Sequence, residues 1–229
     1  MIETSSIQDP KSEIQNGAGA FAAMDRMYRF QRYFYDLTRK YYLLGRDRLI
    51  GEMEIAPNDR VLEIGCGTGR NLILLGRRRP EAKLYGLDAS AEMLVTAEEK
   101  IAKSRQQIEL RTALADDFAF DSIFSLEEPF DTVFFSYSIS MIPTWRESIE
   151  NALNNLKPSG TLYIVDFYDQ KDLPRWFQKF LQGWLRKFHV QFWHELIPYF
   201  NSLEQNGLGA FTLTPLYRRY SFIAAFKKL

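Results

Sequence analysis

Residues 61–71 read V-L-E-I-G-C-G-T-G-R-N. Alternating glycines, Gly65, Gly67 and Gly69, permit a tight turn in which a ligand approaches bare backbone. If a helix opens just after them, its free N–H groups and positive dipole add an electrostatic pull on a negative group. Glu63 stands two residues ahead of the first glycine. A carboxylate there repels a pyrophosphate but attracts an ammonium group, and the dinucleotide fingerprint G-x-G-x-x-G finds no glycine at its third position. Asp88 follows the loop by about twenty residues, the interval at which an acid accepts hydrogen bonds from ribose hydroxyls. In L-A-D-D-F (114–118), either Asp116 or Asp117 suits an adenine amino group, with Phe118 to pack on the ring. An ammonium, a ribose and an adenine together describe S-adenosylmethionine better than a dinucleotide.

These residues need a frame, and the pattern around them supplies one. R-V-L-E-I-G (60–65), K-L-Y-G-L-D (83–88), I-E-L-R-T-A (108–113), F-D-T-V-F-F-S-Y-S (130–138) and T-L-Y-I-V-D-F-Y (161–168) are short apolar or β-branched runs that predict strands. Residues 70–78, 90–104 and 144–156 carry helical periodicity, with Ser90 placed to cap the second. Strand and helix alternating this way predict right-handed crossovers and a doubly wound parallel sheet covered on both faces. Residues 210–228 alternate like two further strands around a turn.

Composition narrows the class. The chain has 229 residues, 46% of them hydrophobic and 25% charged, enough for one domain with embellishments. Net charge is formally zero, which disfavours a globally basic nucleic-acid binder. The charges are uneven, however: Met24 to Ile50 holds seven Arg/Lys against three Asp, Lys171 to Val190 five against one, and Glu98 to Asp131 nine acids against four bases. Cys66 is the sole cysteine, so no intrachain disulfide forms and a cytoplasmic setting is expected. No apolar run approaches the ~20 residues needed to cross a bilayer, and no His/Cys/acid cluster has metal-ligand spacing, so no metal is expected.

Taken together, V-L-E-I-G-C-G-T-G, Y-G-L-D-A-S and A-D-D-F at these intervals resemble the class I S-adenosylmethionine-dependent methyltransferases. The resemblance implies a seven-stranded sheet of order 3-2-1-4-5-7-6 with the last strand antiparallel. It also implies that Glu63, Gly65 and Gly67 hold the methionine end of the cofactor, that Asp88 holds the ribose, that Ala89 and Met93 flank the adenine, and that Asp116 takes its amino group. Ser136 would close the fourth strand at the lip of the site. S-adenosylhomocysteine would be the product left behind.

The acceptor is read from what is absent and what is unusual. S-Y-S-I-S-M-I (136–142) lacks the Asp/Asn-Pro-Pro-aromatic clamp of enzymes that methylate nucleic-acid amines. Residues 173–200 place Trp176, Phe177, Phe180, Leu181, Trp184, Leu185 and Phe188 at helical spacing among Arg175, Lys179, Arg186 and Lys187. Such a segment is either an interfacial helix on anionic lipid or a core helix with a solvated basic rim. A second amphipathic stretch, with Phe30, Phe34, Leu37, Tyr41 and Leu44 on one face, precedes the glycine loop. M-D-R-M-Y-R-F-Q-R (24–32) and Y-D-L-T-R-K-Y-Y-L-L-G-R-D-R-L-I (35–50) resemble the leader of the bacterial diacylglyceryl-homoserine N-methyltransferases. That resemblance implies a lid over the cofactor, with Tyr35 facing the reacting amine and Arg46 the cofactor carboxylate. The expected organisation is a flexible tail (1–20), an amphipathic helical lid (21–56) and a methyltransferase domain (57–229) with an aromatic and basic insertion at about 172–205.

Tyr35 or Tyr137 would orient the amine, and His189 or His194 could take its proton through water. The expected partners are a lipid with an amine head group and an anionic membrane surface at the cytosolic face, with no nucleic acid. Ethanolamine phospholipid is the alternative acceptor. A membrane-binding cofactor sensor without turnover is the alternative of another class.

Overall fold

A computed structural model describes residues 43–186 and 190–229. The expected tail, the lid ahead of Leu43, Tyr35, Phe188 and His189 lie outside the described residues.

The expected strand and helix alternation is present. In chain order the elements are α1 (Arg46–Glu52), β1 (Arg60–Ile64), α2 (Arg70–Arg78), β2 (Lys83–Asp88), α3 (Ala91–Ser104), β3 (Ile108–Thr112), α4 (Phe120–Phe124), β4 (Phe130–Ser136), a 3-10 turn (Ile139–Met141), α5 (Trp145–Asn154), β5 (Leu156–Phe167), α6 (Arg175–Arg186), α7 (Leu196–Gln205), β6 (Gly209–Leu216) and β7 (Ser221–Lys228). The strands form one sheet in the order β3-β2-β1-β4-β5-β7-β6. β1 pairs in parallel with β2 and β4, β2 with β3, and β4 with β5, whereas β7 runs antiparallel to both β5 and β6. This is the class I methyltransferase sheet.

Strand periodicity sorts the core onto two faces. Val61, Phe134, Tyr163 and Val165 share a cluster with Leu49 of α1, Leu72 of α2, Leu94 of α3 and Leu185 of α6. Their neighbours Leu62, Val133, Phe135 and Ile164 turn the other way, to Phe124 of α4, Ile149 of α5 and Phe200 of α7. Both faces are buried, which is why the central strands read as continuous apolar runs rather than alternating ones.

The two boundaries around Asn155 differ from the sequence reading, and that residue accounts for the first. The helix expected to run to 156 stops at Asn154 because Asn155 spends its side chain on tertiary bonds. Its Nδ2 donates to the carbonyls of Phe118 (3.1 Å) and Asn151 (2.9 Å), and its Oδ1 accepts from the Phe120 N–H (2.7 Å). β5 begins at Leu156, five residues early, because Leu156 pairs with Phe130 across a register irregularity before regular pairing resumes at Thr161. The insertion contains two helices on opposite faces of the sheet: α6 buries Leu181 and Leu185 with the first cluster, α7 buries Leu196 and Phe200 with the second.

Candidate functional site

The strand order reverses direction between β1 and β4, because the chain leaves β1 through α2 on one face and β4 through α5 on the other. Loops leaving neighbouring strands toward opposite faces open a crevice at the carboxyl ends, where ligands of such sheets bind. The glycine loop and the loop after β4 meet there. A Cβ built on Gly65, whose φ is 73°, would stand 2.5 Å from the Ser138 Cβ, so only glycine fits. Ser138 in turn donates its hydroxyl to the Ile64 carbonyl (2.8 Å).

Asp88 organises this loop from β2. Its Oδ2 accepts from the Gly67 N–H (2.7 Å) and its Oδ1 from the Ser90 N–H (2.9 Å), so one carboxylate fixes the glycine turn and the approach to α3. Ser90 accepts the Met93 N–H at the start of α3, as its type and position predicted. Met93 is buried and Ala89 half-buried beside it. Gly65 and Cys66 both donate to the Leu87 carbonyl, at 2.7 and 3.0 Å, which lashes the loop to β2.

Glu63, 1% exposed, accepts a hydrogen bond from the Asn71 side chain at 2.6 Å. Asn71 lies in the first turn of α2, so the acid before the glycines and the helix after them are joined across the loop. Next to Asn71, Arg70 grips Asp47 with a two-pronged contact of 2.8 and 3.2 Å, docking α1 against α2. The Arg70 hydrogen bond holds the Asp47 carboxyl below its usual range. Arg46 itself is buried, and its charge reaches the Tyr137 phenol. Arg46, Glu63, the glycine loop, Asp88, Ala89 and Met93 are therefore gathered at one end of the sheet, as is Ser136 at the last position of β4.

Other expected residues sit differently. Tyr137 is 3% exposed, and its hydroxyl donates to the Leu44 carbonyl instead of standing free at an acceptor. Its φ of 56° turns the chain out of β4 so that the ring packs edge-on against Phe167, 4.7 Å between centroids. Burial pushes this phenol well above the ordinary tyrosine range. Tyr137 therefore joins the segment before α1 to the sheet, and Ser221 strengthens the same joint by donating to the same carbonyl. Phe118 is likewise buried, in the same cluster as Phe124 and Phe130. Of the paired acids, Asp116 is half-buried and Asp117 is exposed. Cys66 is buried with its thiol pushed up by desolvation, consistent with a small turn residue and not a nucleophile.

Sequence reasoning missed Asp166, next to last in β5. It is fully enclosed, accepts from the N–H groups of Phe167 (2.7 Å) and Ser140 (3.0 Å), and burial raises it to about 6. Through Ser140 it holds the 3-10 turn that borders the crevice. The available signal was a lone acid inside an apolar strand, T-L-Y-I-V-D-F. Asn71 was also missed, although its place eight residues after Glu63 marks it. Among the described residues, no group of three or more His, Cys, Asp and Glu side chains is placed to hold a metal ion.

The model of a methyltransferase domain matches residues 55–202. The ubiquinone/menaquinone biosynthesis C-methyltransferase UbiE of Geotalea daltonii is 26% identical over 141 residues, 58% of each chain. A carboxy-S-adenosyl-L-methionine synthase of Trichodesmium erythraeum is 34% identical over 115 residues, 48% of this chain and 43% of that one. A 2-phytyl-1,4-naphtoquinone methyltransferase of Trichormus variabilis is 28% identical over 142 residues, 58% and 60% respectively. The chain thus matches about half the length of these relatives. Among solved structures, an O-methyltransferase family 2 protein of Planctomyces limnophilus, in complex with apigenin, superposes with a TM-score of 0.65 at 17% identity, covering 94% of this chain and 67% of that one. A SAM-dependent methyltransferase of Aquifex aeolicus gives 0.57 at 17% identity, covering 97% and 100%. At such identities these structures establish the fold.

The residues present suit S-adenosylmethionine. Gly65, Gly67 and Gly69 all take the left-handed conformation and offer bare backbone, and a buried acid, Glu63, stands just before them. The Ser136 hydroxyl is buried with no hydrogen-bond partner among the described residues. On the domain match and the sheet order together, the chain belongs to the methyltransferase domain family, with the class I fold and S-adenosylmethionine as methyl donor.

Proposed function

We propose that this methyltransferase works at a membrane surface and methylates the homoserine amine of diacylglyceryl-homoserine, giving the trimethylated betaine lipid. One observation carries the reading. α6 buries Leu181 and Leu185 but exposes Trp176 (74%) and Phe180 (67%) one turn apart, with Arg175 and Lys179 exposed beside them. Large aromatic side chains in water with cations at their border suit the headgroup layer of an anionic bilayer. The helix follows β5, whose carboxyl end borders the crevice, so a lipid head group lifted from that layer has a short path to the cofactor. No described helix is long and apolar enough to cross a membrane.

The cofactor supplies an activated methyl on a sulfonium. The chain's own work is to bind, orient and exclude water. Glu63 and the glycine backbone would hold the methionine end, Asp88, which keeps the turn in shape, would meet the ribose, and Arg46 would face the carboxylate. Tyr137, Phe167 and Tyr220, packed edge to edge, wall the site from solvent beneath the segment that leads into α1. Tyr35 stays in the proposal as the residue that orients the amine lone pair, and Tyr137 becomes an anchor for the lid. An aromatic enclosure also tolerates the growing positive charge as methyls accumulate.

Incubation with diacylglyceryl-homoserine and phosphatidylethanolamine vesicles and methyl-labelled cofactor tests the reading. Label in the homoserine lipid is expected. Label confined to the ethanolamine lipid would replace the acceptor, and cofactor binding with no turnover on either would favour a membrane-bound sensor.

A further inference from the structure

Gln170 lies in the connection from β5 to α6, three residues past the end of the strand, and none of its surface is exposed. Its backbone is fully engaged: the N–H donates to the Arg219 carbonyl (2.9 Å) and the carbonyl accepts from the Leu173 N–H (3.0 Å). Its side chain is not, since neither Oε1 nor Nε2 has a hydrogen-bond partner among the described residues. The backbone also sits in the left-handed region, φ 59°. A buried amide left unpaired and a left-handed backbone both cost stability. Two penalties at one residue are the mark of a position kept for something other than stability.

The surroundings hold the residue still. Asp169, its neighbour, is gripped by the fork of Arg219, and that guanidinium stacks 4.4 Å over the Tyr168 ring. Gln178 of α6 reaches back to the Asp169 carbonyl. Nor is Gln170 alone, because the buried, unpaired hydroxyl of Ser136 ends β4, the strand beside β5. The ends of β1 and β2 carry the glycine loop and Asp88, the end of β4 carries Ser136, and Gln170 follows the end of β5.

We propose that the Gln170 amide recognises the acceptor head group, and that it selects one carrying an amine beside a carboxylate. An amide offers an acceptor and two donors side by side. Oε1 takes an N–H of the amine in the first two transfers and Nε2 donates to the carboxylate in all three, so the unmethylated ligand satisfies both orphaned atoms. An ethanolamine head group has no carboxylate on the carbon beside its amine, and its phosphodiester stands farther along the chain, so the side-by-side pairing is lost. A site built to hydrogen-bond one group discriminates strongly against its absence. The inference rests on the lipid-amine reading above and names the contact that decides between its two acceptors.

Calorimetric titration of the S-adenosylhomocysteine-loaded protein with L-homoserine and with ethanolamine tests it, using wild type, Gln170→Leu and Gln170→Glu. Wild type is expected to prefer homoserine. Gln170→Leu should melt no lower than wild type, because an unpaired amide is gone, yet bind homoserine at least tenfold more weakly. Gln170→Glu, near in shape but repelling a carboxylate, should lose homoserine as well, and both variants should raise KM for the homoserine lipid more than they lower kcat. Variants that match wild type in homoserine affinity and KM, while wild type turns the lipid over, would overturn the Gln170 assignment alone. A wild type that neither binds homoserine nor methylates its lipid would overturn the functional reading and this inference with it.

Discussion

Gly65 concentrates the geometry of the site in one atom that is not there. Its positive φ and the 2.5 Å that a Cβ would leave to Ser138 mean that Gly65→Ala must push the loops after β1 and β4 apart. S-adenosylhomocysteine affinity, measured by calorimetry, should fall at least tenfold, while the strained backbone costs about 1–2 kcal/mol of stability. Asp166 makes a different prediction. Its folded-state value of about 6 lies above the ordinary 3.8, so the native state binds the proton more tightly than the unfolded one. Its contribution to stability is therefore most favourable below pH ~4, declines as pH rises through ~6 and is constant above, a span on the order of 3 kcal/mol. Urea midpoints across that window should fall less steeply in Asp166→Asn than in wild type. Parallel slopes would show that the carboxyl titrates normally. The placement of Glu63, Asp88 and the glycines at the strand ends was legible in the sequence because it depends on local spacing. Gln170 and Asp166 were not, because what distinguishes them is burial and lost partners, which spacing does not encode. Tyr137 belongs to the expected loop, but its left-handed φ, unreadable from the sequence, aims its ring at the core.

At the scale of elements, α6 divides into a face packed in the core and a face left exposed, and the exposed face is the one we propose for the membrane. Leu181 and Leu185 belong to the core, and Trp176 and Phe180 to the surface. The two faces can be separated experimentally. Trp176→Ala with Phe180→Ala should leave the melting temperature within about a degree or two, as exposed positions do, and weaken sedimentation with anionic vesicles severalfold. Leu185→Ala should instead cost about 2–5 kcal/mol. Unchanged vesicle binding in the aromatic double variant would remove α6 from the membrane. The helical period of the segment was plain in sequence, but an interfacial stripe and a core stripe have the same period, so only packing could tell them apart. The same holds for β5, whose early start depends on pairing with Phe130 across an irregularity.

For the whole molecule, the order of the strands places the chemistry. Winding out from β1 in one direction and from β4 in the other opens the crevice in which the glycine loop, Asp88 and Ser136 converge, and β7, reversed between β5 and β6, joins the edge strand to the sheet. That plan was readable because alternating strands and helices leave few topologies, and the motif residues sit at the strand ends the plan requires. The acceptor is set by loops and helices added to this frame, where folds are shared and substrates are not. The central claim is that the acceptor is a lipid amine bearing a carboxylate. Mass spectrometry of vesicles containing diacylglyceryl-homoserine and phosphatidylethanolamine in equal amounts, after turnover with S-adenosylmethionine, tests it directly. Successive mono-, di- and trimethylated homoserine lipid with the ethanolamine lipid unchanged is the predicted result; methylated ethanolamine lipid with the homoserine lipid untouched would contradict it.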